Sequence, residues 1–152
     1  MNERLDAAKF AFVGSSSVGK TTLSETYKER YSGNPNVVFV EEAARIYFTA
    51  HPSMPLAERF AETAQGQVQD LALQQEKAAH ESGASLIFCD SSVLDAVAYV
   101  RSTGDKKGSG RLLRKVGNWI LTYTGIFLLN PAGVVFANDD VRQEDPETRQ
   151  RF

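Results

Sequence analysis

The clearest chemistry in this sequence lies in Gly14-Ser15-Ser16-Ser17-Val18-Gly19-Lys20-Thr21. These residues fit the spacing G-x-x-x-x-G-K-[ST]. Average residue usage would give such a match by chance in under ~1% of chains of this size. Glycine permits a tight turn whose backbone N–H groups converge on an anion. The N-terminus of a following helix adds partial positive charge beneath it. Lys20 is placed to reach the β- and γ-phosphates of a nucleotide, and the Thr21 hydroxyl, followed by Thr22, to ligate Mg²⁺. A glycine- and serine-rich turn that merely caps a helix is the plain alternative. The apolar strand before the loop and the helix after it argue for phosphate binding instead.

Two acidic positions stand at the ends of other apolar runs. Leu86-Ile-Phe-Cys89 leads into Asp90, placed to hold Mg²⁺ or one of its waters if that run is a strand beside the phosphate loop. A helix cap is the competing role, with Ser91 and Ser92 as rival caps. Val37-Val-Phe-Val40 leads into Glu41-Glu42-Ala-Ala-Arg45-Ile-Tyr47. Glu42 and Arg45 share a helix face at this spacing. They form either an ordinary surface pair or the edge of an acceptor pocket, where a carboxylate takes the proton of an attacking hydroxyl. Glu41 is the weaker of the two acids, because its neighbour points elsewhere.

Other signals are softer. Gln65-Gly66-Gln67-Val-Gln69 reads as a solvated helix face or as a place where a ligand approaches the glycine. His51 and His80 lack clustered partners and are expected at the surface. Tyr47, Phe48, Phe60, Tyr99 and Trp119 are expected in the core or as pocket walls. The tail from Asn138 to Phe152 carries Arg142, Arg149 and Arg151. It is either a charged helix-loop or a lid whose arginines close on a transferring phosphoryl group.

Alternating strands and helices must position these groups, which predicts a parallel sheet. The strands are 9–13, 37–40, 85–89 and 125–129, with a short fifth candidate at 133–136. Nearly continuous apolar runs predict cover on both faces. Helices are expected over 19–31, 41–50, 55–82, 92–102 and 111–123, with a mobile glycine-rich loop at 103–110. Asp145-Pro146 reads as one more helix start.

The chain of 152 residues is 42% hydrophobic and 24% charged, enough for one domain with a full core. A net charge of −2 gives no field directed at nucleic acid or an anionic membrane. The lone cysteine, Cys89, excludes an internal disulfide and Cys-based zinc sites. No apolar run approaches the ~20 residues of a membrane span, and the first residues do not resemble a signal peptide. A cytoplasmic location is expected.

The ordered set of motifs resembles the NadR-like P-loop kinase family, typified by bacterial nicotinamide riboside kinase domains and related AAA-type ATPases. Gly14 to Thr22 is similar to the family's G-x-S-S-x-G-K-[ST]-T. Glu42-Ala-Ala-Arg45-Ile-Tyr47 is similar to its E-x-x-R-x-Y, and Gly66-Gln67-Val-Gln69 to a G-Q-x-Q stretch. Phe88-Cys-Asp90-Ser resembles its strand end, and Asp139-Asp-Val-Arg142 a lid entry. The resemblance implies a three-layer α/β fold with sheet order 2-3-1-4-5, ATP as donor, Mg²⁺ and a nucleoside-like acceptor. It implies metal and hydroxyl roles for Asp90 and Glu42, a substrate pocket with Arg45, Tyr47 and Gln67, and Arg142 as a lid arginine. One domain over 1–152 is expected, with a lid at 138–152; as departures from the family's pattern, the last strand and helix are expected to be missing and no adenylyltransferase domain is expected. The expected activity is a small-molecule kinase. An ATP-hydrolysing switch is the main alternative, and a nucleotide-binding remnant the third.

Overall fold

The computed structural model describes residues 7–15 and 18–133. The elements run β1 (Ala8–Val13), α1 (Lys20–Arg30), β2 (Val37–Val40), α2 (Ala43–Ala50), α3 (Leu56–Arg59), α4 (Glu62–Glu81), β3 (Leu86–Cys89), α5 (Asp95–Ser102), α6 (Lys106–Ile120) and β4 (Gly125–Leu128). The strands pair in parallel in the order β2-β3-β1-β4. All four carboxyl ends therefore lie along one edge, which is where open α/β sheets place ligands. The expected order holds for these four strands. The fifth candidate, apart from Gly133, and the tail with Arg142 lie outside the described residues.

Alternation along the strands sorts two layers. On one face Phe39, Phe88, Phe10 and Phe127 form a row of neighbouring rings across all four strands, with Tyr27 and Tyr31 of α1 packed onto Phe88. On the other face Ala11, Val13, Val40, Ile87 and Cys89 pack with Ala79 of α4 and with Ala84. A second cluster joins Ala43 and Phe48 of α2 to Ala64, Val68 and Ala72 of α4 and Val116 of α6. The edge strand β4 departs from the expected burial, since Phe127 and Leu128 are 52% and 73% exposed.

Lys9 is fully buried on β1 and meets Glu76 of α4 at 2.6 Å. Trp119 Nε1 and Tyr123 OH also donate to that carboxylate, at 2.7 and 2.6 Å, and the Lys9 ammonium lies 3.9 Å from the centre of the Tyr123 ring. A buried ion pair persists when further hydrogen bonds offset its desolvation, and Trp119 and Tyr123 supply them to Glu76. The pair ties the strand that leads into the phosphate loop to α4.

Three further expectations need correction. The helix foreseen over 55–82 is two helices, because Ala61 is extended at φ −68° and ψ 150°. Gln65 Nε2 donates to Arg59 O at 2.6 Å, giving a partner to a carbonyl that the break leaves without a helical one. The loop foreseen at 103–110 is largely the first turns of α6. Asp105 caps it by accepting from Gly108 N at 2.8 Å, and Gly108 and Ser109 are buried. His80 is not a surface residue: it is half-buried, edge-on to Trp119. Among the described residues no helix is long and apolar enough to cross a membrane.

Candidate functional site

The loop from Gly14 connects β1 to α1. Gly14 has φ 146°, and a Cβ there would lie 2.9 Å from Leu129 O and 3.1 Å from Val18 Cγ2. Gly19 caps α1 in the left-handed region at φ 93°. Both conformations are strained for any side chain, so these two positions require glycine. Lys20 is 4% exposed, and its ammonium donates to Gly14 O and Ser15 O at 2.6 and 2.7 Å. The lysine charge is thus held against the loop. Thr21 is the second residue of α1, directly after Lys20, and Thr22 follows it. Ser16 and Ser17 lie outside the described residues.

Asp90 follows β3 at the same edge and is 7% exposed. Its backbone N–H donates to Val40 O at 2.9 Å. Burial pushes its carboxyl above the usual range, opposed by a hydrogen bond with Thr21 and by the charges of Lys20, Lys28 and Arg45. Among the described residues its Oδ1 is buried without a hydrogen-bond partner. A hydroxyl and a carboxylate in contact, with one carboxylate oxygen to spare, are an oxygen-donor set that suits Mg²⁺. Ser91, next in the chain, sits at φ 149°, a conformation that costs a non-glycine residue about 1–3 kcal/mol and clusters at ligand sites.

Glu42 and Glu41 separate as expected, with Glu42 buried and Glu41 exposed. Glu42 caps α2 from an extended backbone. Arg45 Nε lies 3.9 Å from Glu42 Oε2, with the arginine side chain 43% exposed. Tyr47 does not join them. It packs beside the α2–α4 cluster and stacks on His51.

On the α4 side of this edge lies a narrow cavity of about 10 Å³ lined by Glu42, Gln65, Gln69, Ser92, Asp95 and Tyr99, among others. That is room for about one water. Gln65 and Gln69, not the expected Gln67, face it. They are 2% and 1% exposed, whereas Gln67 points outward. The signal was in the spacing, because residues four apart share a helix face and a residue between them does not. The apolar stripe of Ala64, Val68 and Ala72 sets which face turns inward. A Cβ at Gly66 would meet Leu112 Cδ2 at an ordinary 3.7 Å.

Asp95 was not singled out in the sequence. Its Oδ1 accepts from Ser92 N at 3.2 Å and Ser92 Oγ at 2.8 Å. Ser92-Val-Leu-Asp95 has the S-x-x-D spacing that opens helices, so the sequence did hold a cue to its place. Burial raises the Asp95 carboxyl to about 6, against the pull of Lys20 and hydrogen bonds from Ser92 and Ser91.

A parallel sheet whose first strand feeds a glycine-bounded loop, a buried lysine and a helix N-terminus defines a P-loop nucleotide-binding domain. A family model described as an AAA domain matches residues 9–152, and the chain belongs to that family. Membership supports nucleotide binding and an ATP-using activity of ATPase or kinase type. No curated protein matches the chain.

Proposed function

We propose that the protein is a kinase that moves the γ-phosphoryl group of Mg-ATP to a hydroxyl of a nucleoside-like small molecule. The observation that carries this reading is the buried Glu42 carboxylate, set at the same sheet edge as the loop lysine and the Thr21–Asp90 pair. The loop N–H groups and Lys20 hold the β- and γ-phosphates in line. Thr21 and Asp90 are the residues that would hold Mg²⁺, which supplies neutralising charge on the phosphate oxygens. Glu42 accepts the proton of the acceptor hydroxyl as its oxygen bonds to the γ-phosphorus. The bond from that phosphorus to the β–γ bridging oxygen breaks, and ADP leaves. Arg45 lies beside Glu42, and Arg142 is assigned to a lid over 138–152. The cavity beside Glu42 admits about one water as it stands, so acceptor entry requires α2 to draw back from α4.

That same dimension favours a second reading. A water-sized cavity between the carboxylates of Glu42 and Asp95 suits hydrolysis of ATP by a positioned water, as in a nucleotide-dependent switch. A panel of nucleosides with Mg-ATP separates the two. The kinase reading predicts ADP release that depends on one acceptor and appears with its phosphorylated product. Basal release indifferent to every acceptor would refute it and support the switch.

A further inference from the structure

Val93 is fully buried in the turn that leads from Asp90 at the end of β3 into α5. Both of its backbone polar groups are held by side chains from other elements. Val93 N donates to Tyr123 OH at 3.1 Å, and Val93 O accepts from Gln69 Nε2 at 2.9 Å. Tyr123 OH in turn donates to Glu76 Oε1 at 2.6 Å. Burial, and then the Glu76 charge, push the Tyr123 hydroxyl well above its ordinary range, so it keeps its proton. A backbone N–H only donates and a carboxylate only accepts. The one phenolic proton therefore goes to Glu76, and the phenolic oxygen is left to accept from Val93. Glu76 is itself fixed by Lys9 and by Trp119 Nε1. Between Asp90 and Val93 the chain passes through Ser91 at φ 149°. A backbone held there persists only where its surroundings over-determine it.

Resting on the reading that Thr21 and Asp90 hold Mg²⁺, we infer that Tyr123, between α6 and β4, is a positioning residue for that metal. Its hydroxyl fixes the far side of the Ser91 bend through Val93 N. The near side is fixed separately, by Asp90 N donating to Val40 O at 2.9 Å. The two anchors together set where the Asp90 carboxylate stands against Thr21. Removing the phenolic oxygen leaves a buried N–H without its acceptor, which is costly enough to move the backbone toward a new partner. Ser91 absorbs that movement, because a shift there relieves its conformation. The phosphate loop is untouched, since the Lys20 ammonium is held by carbonyls of the loop itself. Metal affinity therefore falls, and metal-free nucleotide binding does not. Outer partners that orient a metal's ligands are commonly worth about 10–100-fold in its affinity.

Calorimetry with a non-hydrolysable ATP analogue, in EDTA and over a Mg²⁺ series, reads the two effects separately. Tyr123→Phe is expected to raise the half-saturating Mg²⁺ concentration about tenfold or more, with affinity in EDTA unchanged. Trp119→Phe is the control. It removes another hydrogen bond to Glu76 but leaves Tyr123 on Val93, so it should cost stability and keep the wild-type Mg²⁺ series. An unchanged series in Tyr123→Phe, or an equal shift in both variants, overturns the inference. Asp90→Asn distinguishes this from failure of the metal reading. If it alone weakens the series, only the role of Tyr123 falls; if it leaves the series unchanged, both fall. A measurement on the wild type decides the matter should Tyr123→Phe not fold. Coupling between two sites is reciprocal, so adding Mg²⁺ to the nucleotide-bound protein is expected to slow hydrogen exchange at Val93 N beyond the slowing shared by the β1 amides. No such excess overturns the inference.

Discussion

Replacing Asp95 by asparagine tests the electrostatics of the site directly. Burial raises the Asp95 carboxyl from 3.8 to about 6. The folded state therefore holds a proton that the unfolded state releases between about pH 4 and pH 6. Stability from this group is full below about pH 4 and is lost as pH rises through about 6, after which it stays level. At about 1.4 kcal/mol per pKa unit, the gap corresponds to about 3 kcal/mol. That is a ceiling, because Asp95 keeps partial solvent exposure. Asparagine keeps an oxygen that accepts from Ser92 N and Oγ, so the α5 start survives the change. Urea unfolding of both proteins from pH 4 to 8 gives a difference curve in which groups common to both cancel. The asparagine protein is expected to gain on wild type by up to about 3 kcal/mol between pH 4 and pH 7. A flat difference curve would refute the reasoning and show that Asp95 is well solvated.

Lys20→Ala should lower ATP-dependent turnover about a hundredfold or more while circular dichroism stays native, since it removes the charge beside the transferring group. Asp90→Asn keeps size and capping ability but removes the charge that favours the ion; a weaker Mg²⁺ titration with lower turnover is expected, and an unchanged titration returns Asp90 to a capping role. Glu42→Gln should slow acceptor phosphorylation by about 10²–10⁴-fold, or nearer tenfold if proton removal is late, with ATP affinity unchanged. Equal rates in mutant and wild type would exclude Glu42 as the base. Lys9→Met should cost about 3 kcal/mol in urea unfolding by leaving Glu76 buried without its cation, and Lys9→Met with Glu76→Gln should cost less; equal losses would show that charge is not the cause.

The sequence by itself determined the phosphate loop, the four strands within a residue or two and the acid at the end of β3. Each of these is local. A turn, its glycines and the following helix lie within eight residues, from Gly14 to Thr21, and their geometry follows from backbone sterics and propensity. Glu42 turning inward while Glu41 turns outward was legible for the same reason. The tertiary structure alone decided what depends on how elements rotate and pack. It turned Gln65 and Gln69 inward by burying the alanine and valine stripe of α4, and it packed Tyr47 beside the α2–α4 cluster and onto His51. It broke the helix at Ala61 and gave the stranded carbonyl a partner in Gln65. It brought Asp95 within reach of the Lys20 charge across about half of the chain. It also buried Lys9 against Glu76, 67 residues away. No local pattern marks Lys9 as a core residue, because a lysine is normally solvated. Only the assembled Glu76, Trp119 and Tyr123 make its burial affordable, and those partners meet only once the sheet and α4 have packed.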